Sequence, residues 1–202
     1  MLEIGVSVWL APGLNIHRNP LCGRNFEYYS EDPIISGKMA AAVTRGVQNC
    51  GGVGVSVKHF CCNNQEDNRV GVSANVSQRA LREVYLRAFR IAVTEGKPWT
   101  VMSSYNRVNG HYVCNSFDLC TRVLRQEWGF RGLVMSDWNA TEQCSYSEAI
   151  HAGNDLIMPG TASVSKALEK SLKAGELDRD ALNLSAGRVL ELIFKSETCQ
   201  SF

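Results

Sequence analysis

Short runs of apolar residues recur along the chain and are separated by longer segments with helical periodicity. Each run ends at a turn-forming or polar residue, which is typical of short strands that are buried on both faces of a parallel sheet. The runs that fit this description occupy residues 6–11, 53–57, 99–102, 132–135 and 156–158. They predict five parallel strands.

The intervening segments carry apolar residues at helical spacing and have recognisable ends. Asp32 and Pro33 suit the start of one helix, and Ser77 is a suitable N-cap for the next, which ends near Gly96. The predicted helices lie within residues 32–51, 77–96, 117–128, 141–152, 164–174 and 180–195. The last of these is strongly amphipathic, so we expect one of its faces to pack against the sheet.

Strands that alternate with helices predict an α/β domain with a parallel sheet. A closed barrel of TIM type, (β/α)8, needs eight strand–helix units and about 250 residues, whereas this chain has 202 residues. About five strands and six helices therefore predict a partial barrel or a small doubly wound sheet. We expect the domain to span residues 1–195, with an unstructured tail at 196–202.

Composition and charge exclude several classes of protein. Lys and Arg number 21 against 20 Asp and Glu, and this balance gives no electrostatic reason to expect nucleic acid as a partner. No apolar run approaches the roughly 20 residues that span a bilayer, so we expect no membrane partner. The first residues lack the pattern of a secretory signal, and the irregularly spaced cysteines fit reduced thiols. A cytoplasmic location is therefore expected. We also expect no metal and no cofactor.

Polar residues collect where the predicted strands end. In parallel barrels, the loops that follow the carboxyl ends of the strands build the active site. The candidates are Lys58, His59, Tyr105 and Asp137 at the strand ends, with Arg24 and Arg69 in adjoining loops. Asp137 is the one carboxylate in this set, and nearby cations stabilise the ionised form, so we expect its pKa to be lowered. Such a carboxylate suits attack on an electrophilic carbon and suits general-acid catalysis poorly.

The residues alone leave other interpretations open. Asp137 could be the N-cap of a helix, and Lys58 could be a surface charge or a Schiff-base lysine. Arg69 lies in a polar loop, where a solvated arginine is common. We expect Glu27, which lies close to Arg24 in the sequence, to hold its loop together rather than to take part in chemistry.

Five motifs occur in a fixed order along the chain. They are G-L-N-I-H-R-N-P-L-C-G-R-N-F-E-Y-Y-S-E-D-P at 13–33, K-H-F at 58–60, N-N-Q-E-D-N-R at 63–69, S-S-Y-N-R-V-N-G at 103–110 and S-D-W at 136–138. Together they resemble glycoside hydrolase family 3, in its β-glucosidase and β-xylosidase branch, over nearly the whole chain. Any one motif would be weak evidence, but the ordered set is highly specific.

The resemblance implies a role for each candidate. Asp137 would be the nucleophile of a retaining mechanism and would form a covalent glycosyl-enzyme. Tyr105 would lie beside the nucleophile, and Trp138 would pack against the sugar. The residues implied to bind sugar hydroxyls at the non-reducing end are Arg24, Lys58, His59 and Arg69. Charged donors suit this task because they form stronger hydrogen bonds to hydroxyls than neutral donors do.

The resemblance also implies that parts of the catalytic apparatus lie outside this sequence. Retaining hydrolysis needs a second carboxyl group about 5–5.5 Å from the nucleophile, and similar family members take this Glu from a second α/β domain that follows the barrel. Their barrels also begin earlier, so the first strands are expected to be missing here. We therefore expect a partial family 3 barrel, to which a separate chain could supply the missing strands and the acid.

The leading hypothesis is a retaining, exo-acting β-glucosidase that removes terminal β-D-glucosyl residues in carbohydrate catabolism. Its substrate would be a β-glucoside or an oligosaccharide. One alternative is a catalytically incomplete sugar-binding fragment or one half of a split glycosidase, and β-xylosidase specificity is another. A lyase that forms a Schiff base on Lys58 is a third.

The isolated chain is expected to be poorly stable or to be completed by another polypeptide. Absent barrel units would leave strand edges and apolar faces unpaired. Sedimentation and urea unfolding of the purified chain test this expectation. A monomer that unfolds cooperatively would contradict it.

Overall fold

The computed structural model describes residues 1–196 and contains two small sheets. The predicted tail at 196–202 lies outside the described residues except for Ser196. In chain order the strands are β1 (Val8–Trp9), β2 (Gly54–Phe60), β3 (Ser73–Ala74), β4 (Thr100–Ser103), β5 (Arg107–Val108), β6 (His111–Tyr112) and β7 (Leu133–Ser136). Four of the five predicted strands correspond to β1, β2, β4 and β7.

The main sheet has the order β1-β2-β4-β7, and all of its pairs are parallel. The predicted fifth strand at 156–158 contributes a single parallel bridge, between Met135 and Leu156. Its pairing is limited because the Asp155 carboxylate, rather than a strand carbonyl, accepts the Val134 N–H at 2.8 Å. The α/β prediction is thus confirmed, and within residues 1–196 the sheet is open rather than closed into a barrel.

The central strands are buried on both faces, as their continuous apolar sequences predict. Val57, Val101 and Val134 are fully buried and belong to one apolar cluster with Phe60 and Phe89. The helix Pro33–Gln48 contacts both β2 and the helix Arg87–Ile91. This layer of helices fixes the strands whose ends carry the candidate residues.

Within residues 1–196, side-chain caps set the starts of four helical segments, at Asp32, Ser77, Ser145 and Asp178. Asp32 Oδ1 accepts the Ile34 N–H at 2.7 Å, and the Ser77 hydroxyl accepts the Ala80 N–H at 3.2 Å, both as predicted. The helical segments are Pro33–Gln48, Gln78–Ala80, Leu81–Tyr85, Arg87–Ile91, Ala92–Gly96, Asp118–Glu127, Tyr146–Ala152, Ala162–Lys173 and Arg179–Lys195, with short 3-10 turns at Leu2–Ile4, Asn25–Glu27 and Val113–Asn115.

One predicted helix begins later than expected. The segment 141–152 was predicted to be helical throughout, but its helix starts at Tyr146. Asn139 has a φ of 61°, and the turns that follow it end at Ser145, whose hydroxyl accepts the Glu148 N–H at 3.3 Å. The residues between Asp137 and Ser145 are therefore a loop at the mouth of β7.

The second sheet was not predicted, although it has a clear sequence signal. β5 and β6 form an antiparallel hairpin, and β3 pairs in parallel with β5. The turn is Asn109-Gly110 with φ values of 50° and 92°, as an Asn-Gly hairpin turn requires. The Asn109 side chain also bonds to the N–H and the carbonyl of Val76, which ties the hairpin to the adjacent loop.

A buried ion triad holds the last helix to the sheet. The Asp155 side chain is fully buried and accepts from Arg125 Nη2 at 2.5 Å and from Arg188 Nη1 at 2.6 Å. The Ser185 hydroxyl lies 3.3 Å from the same carboxylate. Two helices, Asp118–Glu127 and Arg179–Lys195, therefore converge on one carboxylate.

Asp155→Asn should destabilise the domain strongly. Removal of one partner from a buried ion pair leaves charge unpaired and costs about 3–5 kcal/mol. The matched control is Asp118→Asn, because Asp118 pairs with Arg122 on the surface and exposed pairs contribute only about 0–1 kcal/mol. Urea unfolding followed by tryptophan fluorescence measures both variants. Equal destabilisation of the two would contradict the proposed importance of the triad.

Candidate active site

The register of the main sheet brings the predicted strand-end residues to one edge. Ser103 on β4 pairs with both Phe60 on β2 and Ser136 on β7. Tyr105 therefore follows one strand, and Asp137 follows its neighbour, at the same end of the sheet. The Asp137 N–H donates to the Ser103 carbonyl at 3.0 Å, which extends the ladder by one bond and fixes where the aspartate backbone lies.

Asp137 is buried and has one carboxylate oxygen available for chemistry. The residue is 8% exposed, and Oδ1 accepts the Trp138 N–H at 2.7 Å. Oδ2 lies 3.6 Å from His59 Nε2 and has no hydrogen-bond partner within residues 1–196. An oxygen with free lone pairs in a partly desolvated pocket can attack an electrophilic carbon.

The predicted lowering of the Asp137 pKa is wrong in its net direction. Burial raises the pKa of Asp137, and this effect outweighs the Trp138 amide, the Tyr105 hydroxyl and the charges of Arg24 and Lys58, which lower it. The sequence shows which cations are available but not how far packing removes water from the carboxyl group. The cations thus offset part of the cost of placing a charge where burial disfavours it.

His59 is buried between Asp137 and two polar side chains. Its Nδ1 lies 3.3 Å from both the Tyr28 hydroxyl and Asn15 Oδ1. Burial, followed by the charges of Arg24 and other nearby cations, holds the pKa of His59 well below its usual value of 6.5. A neutral imidazole at this position suits hydrogen bonding better than transfer of a proton from an imidazolium.

Asn15 positions His59 through the backbone, a role that the sequence did not predict. Its Nδ2 donates to the His59 carbonyl at 2.9 Å, and its Oδ1 accepts the His59 N–H at 2.8 Å. The side chain is buried, so both bonds are shielded from water. Asn15 lies in the motif at 13–33, and this was the only sequence signal for its role in positioning His59.

Glu27 links two of the predicted sugar-binding cations. Arg24 Nε donates to Glu27 Oε1 at 2.6 Å, and Lys58 Nζ lies 3.4 Å from Glu27 Oε2. Burial opposes ionisation of this carboxyl, but the bond to Arg24 and the charges of both cations lower the pKa of Glu27 overall. Glu27 therefore holds its loop, as expected, and also fixes Lys58 from a different element.

Arg69 and Tyr105 form the other side of the site. The Arg69 guanidinium lies 4.3 Å from the centre of the Tyr105 ring, and its Nη1 donates to Glu66 Oε2 at 2.6 Å. Arg69 is thus paired and stacked rather than freely solvated. Burial, together with the charge of Asp137, raises the pKa of Tyr105 to about 12, so the phenol keeps its proton at neutral pH and can donate it in a hydrogen bond.

Trp138 differs from the other candidates in being exposed. It is 56% exposed and directly follows Asp137. An exposed aromatic face beside a buried carboxylate can complement the apolar C–H face of a sugar ring. The arrangement as a whole offers cationic donors, a phenol and a neutral imidazole around one unbonded carboxylate oxygen, which suits a polyhydroxylated substrate with an electrophilic carbon.

No group of three or more His, Cys, Asp or Glu side chains in residues 1–196 is placed to hold a metal ion. No helix there has the length and apolar character that crossing a bilayer requires.

The sequence matches the glycosyl hydrolase family 3 N-terminal domain over residues 1–192. The chain belongs to glycosyl hydrolase family 3. The resemblance inferred from the five motifs is thereby confirmed.

Relatives in family 3 share both sequence and fold with this chain. The thermostable β-glucosidase B of Acetivibrio thermocellus is 45% identical over 190 residues. An exo-α-(1→6)-L-arabinopyranosidase of Bifidobacterium breve is 44% identical over 196 residues. The structure of β-glucosidase 3B from Thermotoga neapolitana in complex with glucose is 49% identical, with a TM-score of 0.93.

The chain corresponds to part of each family 3 relative. The matches cover 94% and 97% of the chain but 25% of each curated relative, and 99% of the chain but 29% of the Thermotoga structure. The chain thus spans about a quarter of the length of these curated relatives.

The pKa of His59 should rise when Arg24 loses its charge. Arg24→Gln takes away the largest electrostatic contribution to the lowered value, whereas burial keeps the pKa below 6.5. Arg18→Gln is the control, because Arg18 is exposed and does not contribute. Titration of the His59 ring by nitrogen-resolved NMR measures each pKa, and an unchanged value in Arg24→Gln would contradict the electrostatic explanation.

The lowered pKa of His59 also predicts that the stability of the domain depends on pH. Below pH 6.5 the unfolded chain binds a proton at His59 that the folded chain does not. The free energy of unfolding should therefore fall as the pH drops from 6.5 toward the lowered pKa of the folded state. Wild type and His59→Gln, compared by urea unfolding from pH 7 to 5, should differ in slope, with the steeper fall in wild type.

Proposed function

We propose that this family 3 chain carries the nucleophile and the main sugar subsite of a retaining, exo-acting β-glucosidase. The observation that carries the proposal is the unbonded Oδ2 of Asp137, which is buried at the strand ends, 3.6 Å from His59 Nε2, and is influenced by the charges of Arg24 and Lys58. Family membership and the similarity to β-glucosidases support the choice of reaction class.

The first step would be attack of Asp137 Oδ2 on the anomeric carbon of the terminal sugar. The bond from that carbon to the leaving oxygen breaks, the electron pair stays with the oxygen, and a glycosyl ester forms on Asp137. Water then cleaves the ester and releases the sugar with retained configuration. The raised pKa of Asp137 favours this step because a weakly solvated carboxylate is a better nucleophile once ionised.

The neighbouring side chains would bind the sugar rather than transfer protons. Arg24 and Lys58 are held by Glu27, and Arg69 is held by Glu66, so their donors are positioned before substrate arrives. Pre-positioned donors lower the entropic cost of reaching the transition state. Hydrogen bonds to the 2-hydroxyl that tighten in the transition state would contribute several kcal/mol.

The general acid is proposed to lie outside this sequence. Glu27 suits the role poorly because its pKa is lowered by Arg24 and Lys58. Glu66 is paired with Arg69. Since the chain spans about a quarter of the length of the curated relatives it matches, a further domain or a separate chain would supply the acid Glu and complete the sheet.

Glucose is the preferred substrate, and two pentoses are the competing candidates. One relative is named a β-glucosidase and another an exo-α-(1→6)-L-arabinopyranosidase at nearly the same identity. Xylose is the further candidate from the sequence resemblance. All three sugars present hydroxyls to the same cationic donors, and they differ in the C6 hydroxymethyl group and in ring stereochemistry.

A fluorinated substrate should label Asp137 covalently. Treatment of the complete protein with dinitrophenyl 2-deoxy-2-fluoro-β-glucoside should add one fluoroglucosyl group to the peptide that contains Asp137, because fluorine slows hydrolysis of the ester. Asp137→Asn should abolish labelling. Asp67→Asn is the control, since Asp67 is an exposed acid in a neighbouring loop. Peptide mass spectrometry reads the result.

The outcomes of this experiment separate the alternatives. Label on another residue would refute the assignment of Asp137, and glucose binding without label would favour a sugar-binding fragment. Faster labelling by the fluoroxyloside or by the corresponding arabinopyranoside would contradict the glucose preference.

The rate at which the chain alone cleaves glycosides should depend strongly on the leaving group. Without a general acid, dinitrophenyl β-glucoside should react far faster than cellobiose, because dinitrophenolate leaves without protonation. Addition of the part of the protein that supplies the acid should accelerate cellobiose cleavage selectively. Equal rates on both substrates with the chain alone would show that this sequence contains its own acid.

A further inference from the structure

Two cysteine thiols meet beside the loop that begins at Asp137. Cys114 lies in the turn Val113–Asn115, and Cys144 lies just before the helix Tyr146–Ala152. Their sulfur atoms are 3.2 Å apart although the residues are 30 positions apart in the sequence. Cys114 is buried, whereas Cys144 is partly exposed and can meet a small reagent from solvent.

Independent contacts hold the two cysteine-bearing segments together. Asn115 Nδ2 donates to the Ser145 carbonyl at 3.3 Å and to Glu148 Oε2 at 3.0 Å. Cys114 Sγ also lies 3.8 Å from the Ala140 carbonyl within the Asp137 loop. The thiols are therefore held near each other by neighbouring bonds, and a disulfide would need only a small movement.

We propose that Cys114 and Cys144 are a redox-active modification site, at which a small disulfide such as oxidised glutathione produces an intramolecular disulfide that anchors residues 137–145. The Cys144 thiolate attacks the glutathione disulfide, forms a mixed disulfide and releases one glutathione thiol. Cys114 then attacks Cys144 Sγ and releases the second. Two protein thiols become one disulfide, and one glutathione disulfide becomes two thiols, so electrons and protons balance.

The electrostatics fit this order of events. The hydrogen bond between the thiols, and then burial, raise the pKa of Cys114, whereas the bond from Cys114 lowers the pKa of Cys144. The more exposed sulfur is thus the better thiolate and the first to react. The buried sulfur is shielded from the reagent and acts second, within the protein.

The disulfide should restrain the nucleophile loop without touching Asp137. The loop is held by turns, in which the Ala140 N–H donates to the Asp137 carbonyl and the Cys144 N–H to the Thr141 carbonyl. A bond at Cys144 fixes the far end of these turns to the segment that follows the hairpin. In a reducing compartment glutathione would reverse the bond, so the restraint would follow the redox state.

The test uses the complete protein, purified reduced and then exposed to oxidised glutathione under native conditions. The intact mass should fall by two hydrogens, and peptide mapping should show one cross-link, Cys114 to Cys144. Cleavage after exposed Glu142 by a glutamate-specific protease should slow several-fold and recover on reduction. Cys144→Ser should lose the cross-link and the protection.

Cys50→Ser is the matched control, because Cys50 is exposed just beyond the helix Pro33–Gln48 and its sulfur lies 3.6 Å from the Gly46 carbonyl of that helix. That variant should behave as wild type. A persistent glutathione adduct on Cys144, a cross-link between other cysteines, or protection that survives in Cys144→Ser would each overturn the proposal. The intact mass and the peptide map are measured on the wild-type protein, so these two results do not depend on how well a variant folds.

Discussion

The parallel alignment of β2, β4 and β7 is the constraint on which the rest of the site depends. It brings His59 and Asp137, which are far apart in the sequence, to within 3.6 Å of each other at one end of the sheet. Asp137 is buried at that end, and burial penalises its charge. The cations offset part of that penalty, so the site combines an ionisable, weakly solvated carboxylate with donors that need little reorganisation.

The cations are themselves restrained by carboxylates. Glu27 is shared by Arg24 and Lys58, and Glu66 holds Arg69. Each of these pairs places a negative charge beside a cation of the site. They also fix the directions of the donors, which matters more for recognition of hydroxyl groups than total charge does. Glu27 and Glu66 are themselves engaged in these ion pairs.

The open main sheet is consistent with a chain that matches only part of each family 3 relative. Within residues 1–196 the strand order ends at β1 and β7. Exposed apolar residues such as Trp9 and Phe194 lie on outer elements of the domain. The relatives in family 3 are about four times as long as the matched segment. The loop that carries Asp137 is nevertheless fixed locally, by turns, by the Ser145 cap and by the contact between Cys114 and Cys144.

Local sequence determined most of the secondary structure and the membership of the site. Caps at Asp32 and Ser77 fixed helix starts, apolar runs fixed four strands, and the motifs identified the family and the residues around Asp137. Tertiary structure decided the rest. The fifth strand reduced to one bridge because Asp155 takes the place of a ladder partner, and Asn15 gained its role through contacts made only after folding. The direction of the Asp137 pKa depends on how much water the packed chain excludes, a quantity that spacing along a sequence does not contain.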